Sequence, residues 1–118
     1  KAGGFRVQGR QDDAAEQMRR DAKALEQAGA DLVLLECIPS ALGAQITAEL
    51  SVPVIGIGAG PDTDGQILVL YDLLDITTGR KPKFSRNFMA GVDSPLQAIK
   101  NYVSAVRDTS YPAPEHCF

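Results

Sequence analysis

Residues 32–37 read Leu-Val-Leu-Leu-Glu-Cys, and residues 52–60 read Val-Pro-Val-Ile-Gly-Ile-Gly-Ala-Gly. Each stretch contains a short apolar run, and such runs are typical of strands in parallel sheets, which are covered on both faces. We therefore predict one strand over residues 32–35, buried on both faces, and a second over residues 54–57. The segments that follow these strands can carry chemistry, because parallel α/β proteins bind substrates at the C-terminal ends of their strands.

Helical patterns lie before and between the two predicted strands. The first helix is predicted to begin with Asp13 as its cap, because Glu16 completes the spacing of a capping box, and to end at Gly29. The second is predicted to run from a capping Ser40 to Leu50. Their apolar faces comprise Ala15, Met18, Ala22 and Leu25 in the first helix and Leu42, Ile46 and Leu50 in the second.

Three further elements are predicted in the second half of the chain. A third helix starts at the acidic segment 61–64 and extends to Leu74, and a short strand covers residues 83–85. The last helix begins at Asp93-Ser94-Pro95, because proline is favoured in the first helical turn. Its apolar stripe comprises Leu96, Ile99, Val103 and Val106, and the tail over residues 111–118 is predicted to be irregular.

The alternation of helices and strands predicts right-handed βαβ units and a parallel sheet. Doubly wound sheets and (β/α)8 barrels both satisfy this order. A barrel takes about 250 residues, so the 118-residue chain would supply a little under half of one. The chain opens with Lys1 in a glycine-rich loop rather than with Met, so we expect an N-terminal portion of the domain to precede it.

The composition argues against several functional classes. Apolar residues make up 44% and charged residues 23% of the chain, which is the profile of a soluble globular protein. The net charge of -3 argues against a nucleic-acid partner and against a polybasic membrane patch. No apolar run approaches the roughly 20 residues that span a bilayer, and no signal peptide is recognisable. Two distant cysteines match no metal or disulfide framework, so we expect a cytoplasmic protein.

Glu36 is the first candidate for catalysis. It follows the apolar run of the first predicted strand, so its carboxylate would leave the sheet at the C-terminal rim. Partial burial there would raise its pKa and make it a better general base near neutral pH. A solvated or salt-bridged glutamate at a strand end explains the same position equally well.

Two glycine-rich segments are the next candidates. Gly56-x-Gly58-x-Gly60 lets the backbone approach an anionic ligand closely. The spacing is not the dinucleotide fingerprint, and a tight strand-to-helix turn packed with small residues is the favoured interpretation. The segment 3–10 can be read as a mobile loop over a pocket or as a surface linker, and its composition does not separate the two.

The remaining polar candidates have simpler explanations. Asp62 and Asp64 could bind a metal, but acidic residues are also favoured by the macrodipole at a helix N-terminus. The single histidine, His116, lies in the tail and is expected to be a surface residue. Cys37 has no histidine nearby in the sequence, so a buried and inert thiol is expected rather than a nucleophile.

Six segments, in order and over nearly the whole chain, resemble the ketopantoate hydroxymethyltransferase family. They are Gly-Gly-Phe-Arg-Val-Gln-Gly-Arg (3–10), Ala-Gly-Ala-Asp-Leu-Val-Leu-Leu-Glu-Cys-Ile-Pro (28–39), Val-Pro-Val-Ile-Gly-Ile-Gly-Ala-Gly (52–60), Thr-Asp-Gly-Gln-Ile-Leu-Val (63–69), Lys-Phe-Ser-Arg-Asn-Phe (83–88) and Tyr-Pro-x-x-Glu-His (111–116). The resemblance implies an α/β fold, a (β/α)8 TIM barrel of the phosphoenolpyruvate/pyruvate-type superfamily. Residues 1–118 would be the C-terminal part of this single domain.

The resemblance also implies an enzyme of pantothenate biosynthesis. A hydroxymethyl group would pass from the co-substrate 5,10-methylenetetrahydrofolate to the 2-oxo acid 3-methyl-2-oxobutanoate, giving 2-dehydropantoate. Glu36 matches the proposed acceptor of the C3 proton in this family. The family uses Mg²⁺ to hold the oxo acid, with ligands upstream of this segment, so we expect no metal ligand in this chain.

The family resemblance further implies a homo-oligomer, a decamer. Tyr71 stands where many members have histidine, so any role that the histidine has in those members is absent here. Without the upstream groups, residues 1–118 alone are expected to be inactive. Two alternatives stay open: a phosphate-binding barrel enzyme of another class that uses residues 56–60, and a non-catalytic truncated or assembly fragment.

Overall fold

Three parallel strands form the central sheet of the computed structural model, which describes residues 6–118. The strands are β1 (Val33–Glu36), β2 (Val54–Ile57) and β3 (Gly65–Gln66), and they lie in the order β1-β2-β3. The helices are α1 (Asp12–Gln27), α2 (Ser40–Glu49), α3 (Leu70–Leu73) and α4 (Pro95–Arg107), and a 3-10 helix covers Pro114–His116. Both strand pairs are parallel, so the predicted α/β class is confirmed.

Helices α1 and α2 cover one face of β1 and β2. Val33 pairs with Val54 in parallel register, and both side chains are buried together with Leu35. Ala22 of α1 and Ile46 of α2 complete this core. Each large aliphatic side chain buried in this way contributes about 1.5–3 kcal/mol, so this layer is the main attachment of the helices to the sheet.

Polar contacts fix the segments that flank β2. The Glu26 carboxylate, in the last turn of α1, accepts hydrogen bonds from the backbone N–H groups of Ser51 (2.5 Å) and Val52 (3.1 Å). Asp64 Oδ2 accepts a hydrogen bond from the Val54 N–H at 2.8 Å, and the Asp64 N–H donates to the Val54 carbonyl at 2.9 Å. These carboxylates therefore hold both the approach to β2 and the start of the neighbouring strand.

The second face of β1 is open, which corrects the prediction that this strand is buried on both faces. Val33 and Leu35 are buried, whereas Leu34 is 52% exposed. Leu32, predicted to belong to the strand, precedes it and is also exposed. The prediction is wrong for the described residues because α1 and α2 cover only the face that carries Val33 and Leu35.

The segment 61–74 differs from the predicted third helix. Residues 61–64 form turns, residues 65–66 pair with the middle of β2 as strand β3, and the helix is confined to Leu70–Leu73. The Ile67 N–H extends the pairing by donating to the Gly56 carbonyl at 3.0 Å. The apolar spacing indicated a helix, but hydrogen bonding to a strand elsewhere in the chain overrides that local signal.

Helix α4 begins as predicted but turns a different face inward. Ser94 Oγ accepts a hydrogen bond from the Gln97 N–H at 3.1 Å, and Pro95 occupies the first turn. The buried residues are Ala98 and Ala105, not the predicted large apolar stripe. Of that stripe, Leu96, Ile99 and Val103 are exposed. The small alanine side chains allow the close packing that the larger residues would prevent.

The other two predicted helix caps are wrong. Gln11 is the N-cap residue of α1 and makes no side-chain cap, and Asp13 lies inside the helix. Ser40 is the first residue of α2, behind Pro39, and its hydroxyl donates to the Phe118 carbonyl at 3.2 Å. Within residues 6–118, no helix combines the length and the apolar character required to cross a membrane.

An aromatic cluster joins α4 to the tail. The rings of Phe88, Tyr102 and Tyr111 pack edge to face, with centroids 5.4, 5.3 and 6.0 Å apart. The Tyr111 hydroxyl donates a hydrogen bond to the Phe84 carbonyl. Phe84 lies in a turn and not in the strand predicted over residues 83–85, and the tail contains a 3-10 helix rather than being irregular throughout.

Candidate functional site

Glu36 is the last residue of β1 and stands at the C-terminal end of the sheet, as predicted. It is in register with Ile57, the last residue of β2. Because side chains alternate along a strand, Glu36 shares the face of Leu34, which α1 and α2 leave open. Its side chain is exposed, so residues 6–118 do not provide the partial burial that was expected for it.

Cys37 connects Glu36 to the neighbouring segments. Its N–H donates to the Ile57 carbonyl and its carbonyl accepts from the Gln8 N–H, both at 2.9 Å. Its backbone has a φ of 55°, in the left-handed region. Burial raises the pKa of the thiol, the Glu36 charge adds to this effect, and Arg10 opposes it. The expected buried thiol is therefore confirmed, and Glu36 and Arg10 are near enough to act on it electrostatically.

The glycine-rich turn after β2 is packed against other parts of the chain. A Cβ atom built on Gly58 would lie 2.6 Å from the Phe84 ring. One built on Gly60 would lie well inside 3.0 Å of Ser40. The Ile38 N–H donates to the Gly58 carbonyl at 3.0 Å, which ties this turn to the segment after β1. Close packing therefore explains the small residues, as predicted, but the turn leads to strand β3 and not to the predicted helix.

The acidic pair after this turn does not form a metal site. The Asp64 carboxylate accepts a hydrogen bond from the Val54 N–H through Oδ2, and the Asp64 backbone N–H donates to the Val54 carbonyl. No helix starts at Asp62 or Asp64, so the explanation by the helix macrodipole is also wrong. Across residues 6–118, no group of three or more His, Cys, Asp and Glu side chains is placed to hold a metal ion.

The other candidate residues are part of the packing or lie on the surface. His116 is half-buried rather than a surface residue: its ring lies 5.1 Å from that of Tyr111, and its Nδ1 accepts a hydrogen bond from the Ala113 N–H. Burial lowers the pKa of His116. Tyr71 lies on α3, where a helix was predicted, and is 62% exposed. The described part of segment 3–10 begins at Arg6, and residues 3–5 lie outside the described residues.

A cavity that the sequence did not predict opens beside the C-terminal ends of the strands, and we call it the rim cavity. Its volume is about 750 Å³, and its wall includes Arg6, Arg80, Lys81, Lys83, Phe84 and Phe118. Phe84 and Phe118 pack with Cys37 and Ile57, which follow or end β1 and β2. The local signal was the basic run over residues 80–83, but its meeting with Arg6 depends on the fold.

Comparison with known proteins identifies relatives. The sequence model of the ketopantoate hydroxymethyltransferase family matches residues 1–114. A protein named 3-methyl-2-oxobutanoate hydroxymethyltransferase 2 from Hahella chejuensis is 57% identical over 118 residues, which are 100% of this chain and 45% of the relative. The 3-methyl-2-oxobutanoate hydroxymethyltransferase of Marinobacter nauticus is 58% identical over the same shares of both chains. That of Pseudomonas fluorescens is 58% identical over 98% of this chain and 44% of its own length. The chain thus spans a little under half the length of these curated relatives.

Proposed function

Because the chain belongs to the ketopantoate hydroxymethyltransferase family, we propose that it is the C-terminal part of an enzyme of pantothenate biosynthesis. The enzyme transfers a hydroxymethyl group from 5,10-methylenetetrahydrofolate to 3-methyl-2-oxobutanoate and releases 2-dehydropantoate. The observation that carries the proposal is the position of Glu36 at the C-terminal end of β1, on the face that the helices leave open. In parallel α/β proteins this end of the sheet is where reacting groups lie.

The fold proposed for the whole enzyme is a (β/α)8 TIM barrel. The order β1-β2-β3, with parallel pairing throughout, is what a segment of such a barrel requires. β1 lies at one edge of the described sheet, and the exposed side chain of Leu34 supports a cover supplied by the rest of the barrel. Residues 1–118 are then the C-terminal part of one domain, and alone they are inactive.

Glu36 is proposed to accept the proton from C3 of the oxo acid. The electron pair of the broken C–H bond moves into the adjacent ketone and leaves a carbon nucleophile for the one-carbon unit. A positioned carboxylate typically accelerates such a proton transfer by about 10²–10⁴-fold. In the whole enzyme, other parts of the barrel would cover the open face on which Glu36 lies.

Mg²⁺ is proposed to be bound by the whole enzyme but not by the residues of this segment. Residues 6–118 contain no suitable group of carboxylate, thiol or imidazole ligands. The ligands are proposed to lie upstream of this segment, as the family resemblance implies. The role proposed for Glu36 is limited to accepting the C3 proton on the open face of β1.

The test is Glu36→Gln in the full-length enzyme. Exchange of the C3 proton of 3-methyl-2-oxobutanoate for deuterium, followed by NMR, is expected to slow by about 100-fold or more. Glu115→Gln is the matched control, because Glu115 is an exposed glutamate in the tail. This variant should exchange the C3 proton at the rate of the wild type. Unchanged exchange in Glu36→Gln would remove Glu36 from this role.

The two alternative functions have less support. A phosphate bound by residues 56–60 would have to displace Phe84, which packs against Gly58, and Ser40, which packs against Gly60. A non-catalytic fragment would expose apolar faces, and Leu34 is indeed exposed. Light scattering and hydrogen exchange on the isolated chain address that case, because a compact and well-protected monomer argues against an assembly fragment.

The quaternary structure proposed for the whole enzyme is a homo-oligomer, specifically a decamer. The exposed apolar side chains of Leu96, Ile99 and Val103 on α4 support a surface that another subunit covers. Sedimentation equilibrium of the full-length enzyme measures the subunit number. The proposed location is the cytoplasm, and the proposed partners are small molecules only, the 2-oxo acid and the folate, without nucleic acid or membrane.

A further inference from the structure

The charges around the rim cavity are unevenly neutralised. Lys81 forms an ion pair with Asp75. Arg6 and Arg80 form no ion pair with any carboxylate of residues 6–118. Two guanidinium groups without a counter-charge therefore line the cavity. Guanidinium groups bind carboxylates through paired, parallel hydrogen bonds, and carboxylates are the ligands that such a wall favours.

The rest of the wall provides aromatic rings and a fixed cation. Lys83 Nζ donates to the Cys117 carbonyl at 2.7 Å and lies 5.1 Å from the centroid of the Phe118 ring. Phe84 is 2% exposed and packs against the ends of the strands, so its position is fixed by the core. The cavity therefore combines a rigid apolar wall with cationic side chains, and small-molecule sites are typically lined by apolar and aromatic side chains with a few placed polar or charged groups.

The size of the cavity distinguishes the two substrates of the proposed reaction. A volume of about 750 Å³ lies well within the range of about 300–1,000 Å³ that is usual for small-molecule sites, and far exceeds what a five-carbon oxo acid fills. Glu36, at which the oxo acid is proposed to react, is not part of the cavity wall. The folate, by contrast, ends in a p-aminobenzoyl group linked to a glutamate with two carboxylates.

We propose that the rim cavity binds the p-aminobenzoyl-glutamate end of the folate co-substrate. Arg6 and Arg80 bind the glutamate carboxylates, and the partly exposed Phe118 ring contacts the p-aminobenzoyl group, while the buried Phe84 supports the wall from behind. This inference rests on the proposed function, because it takes the folate as the one-carbon donor. It assigns to this segment a substrate-binding role separate from the proton transfer at Glu36.

The experiment uses the full-length enzyme and equilibrium binding, which needs no turnover. Titration calorimetry compares tetrahydrofolate with tetrahydropteroate, which lacks the glutamate. Arg6→Gln and Arg80→Gln are each expected to weaken tetrahydrofolate binding by about tenfold or more and to leave tetrahydropteroate binding unchanged. Arg20→Gln is the matched control, because Arg20 is an exposed arginine on α1 outside the cavity wall.

Three outcomes would overturn the inference. The first is tetrahydrofolate binding by both variants as tight as that of the wild type. The second is an equal loss for tetrahydropteroate, which would show that the arginines act without the glutamate. The third is a selective loss of affinity for 3-methyl-2-oxobutanoate, which would place the oxo-acid carboxylate in the cavity. The Arg20→Gln control should retain the C3 proton exchange rate of the wild type. A wild-type enzyme that transfers no hydroxymethyl group would instead refute the proposed function itself.

Discussion

Two tyrosines of the aromatic cluster provide a matched test of what a buried hydroxyl group contributes to stability. The Tyr111 side chain is buried, and its hydroxyl donates to the Phe84 carbonyl. The Tyr102 hydroxyl is also buried, but it has no hydrogen-bond partner among residues 6–118. Burial raises the pKa of both hydroxyls, so both stay protonated at neutral pH.

Substituting either tyrosine by phenylalanine removes one oxygen and retains the ring. Tyr111→Phe loses a hydrogen bond, so the free energy of unfolding should fall by about 1–1.5 kcal/mol. Tyr102→Phe removes an unpartnered hydroxyl, whose burial costs about 1–3 kcal/mol. That variant should therefore be as stable as the wild type, or more stable by about 1 kcal/mol. The two substitutions are expected to differ by about 1–2.5 kcal/mol although they remove the same atom.

Urea denaturation of the full-length enzyme, followed by far-UV circular dichroism, measures both variants under the same conditions. Tyr71→Phe serves as the control, because the Tyr71 side chain is 62% exposed. Its free energy of unfolding should change by less than about 0.5 kcal/mol. Equal losses in Tyr111→Phe and Tyr102→Phe would refute the reasoning, because the partner of the hydroxyl would then have no effect.

Two further predictions concern the layer of helices. In Gly43→Ala, the new Cβ would lie well inside 3.0 Å of the Ala59 carbonyl oxygen. The gain of about 1 kcal/mol that alanine usually brings to a helix should become a loss of about 1–3 kcal/mol, measured by thermal denaturation against Gln45→Ala in the same helix. For Glu26, the hydrogen bond from Lys23, followed by those from backbone N–H groups, lowers the pKa below its ordinary value of 4.5. Its contribution to stability is therefore present above that value and is lost as the pH falls through the lowered pKa. Glu26→Gln should flatten this acid limb, and an unchanged pH dependence would contradict the assignment.

The parts of the fold that local signals determine could be predicted from the sequence. The second strand was predicted over the residues that form β2, Val54–Ile57. The helix start at Ser94 was also predicted. The Ser94 hydroxyl accepts a hydrogen bond from the N–H of Gln97, three residues later, and Pro95 follows directly, so the cap depends only on neighbouring residues. The position of Glu36 at a strand end was also predicted, whereas its action as a base remains a proposal that the full-length enzyme must test.

Features that depend on distant parts of the chain could not be predicted. Strand β3 exists because Gly65 and Gln66 meet β2, and their own sequence gives no strand signal. The buried face of α4 was predicted incorrectly. The prediction followed the spacing of the large apolar residues, whereas the residues that pack inward are Ala98 and Ala105. Arg6 and Arg80 line the same cavity although they are far apart in the sequence, and no local pattern predicts this.

The left-handed backbone of Cys37 limits which residues can follow Glu36 at the C-terminal end of β1. A non-glycine residue in that conformation is strained by roughly 1–2 kcal/mol, and β-branched residues tolerate it worst. Glycine would relax the backbone, yet it would leave a void between Ile57 and Phe84, which enclose the thiol. A saturation library at position 37 should therefore yield very few folded variants, confined to small unbranched side chains. Changes to this end of the sheet would therefore have to be made at other positions.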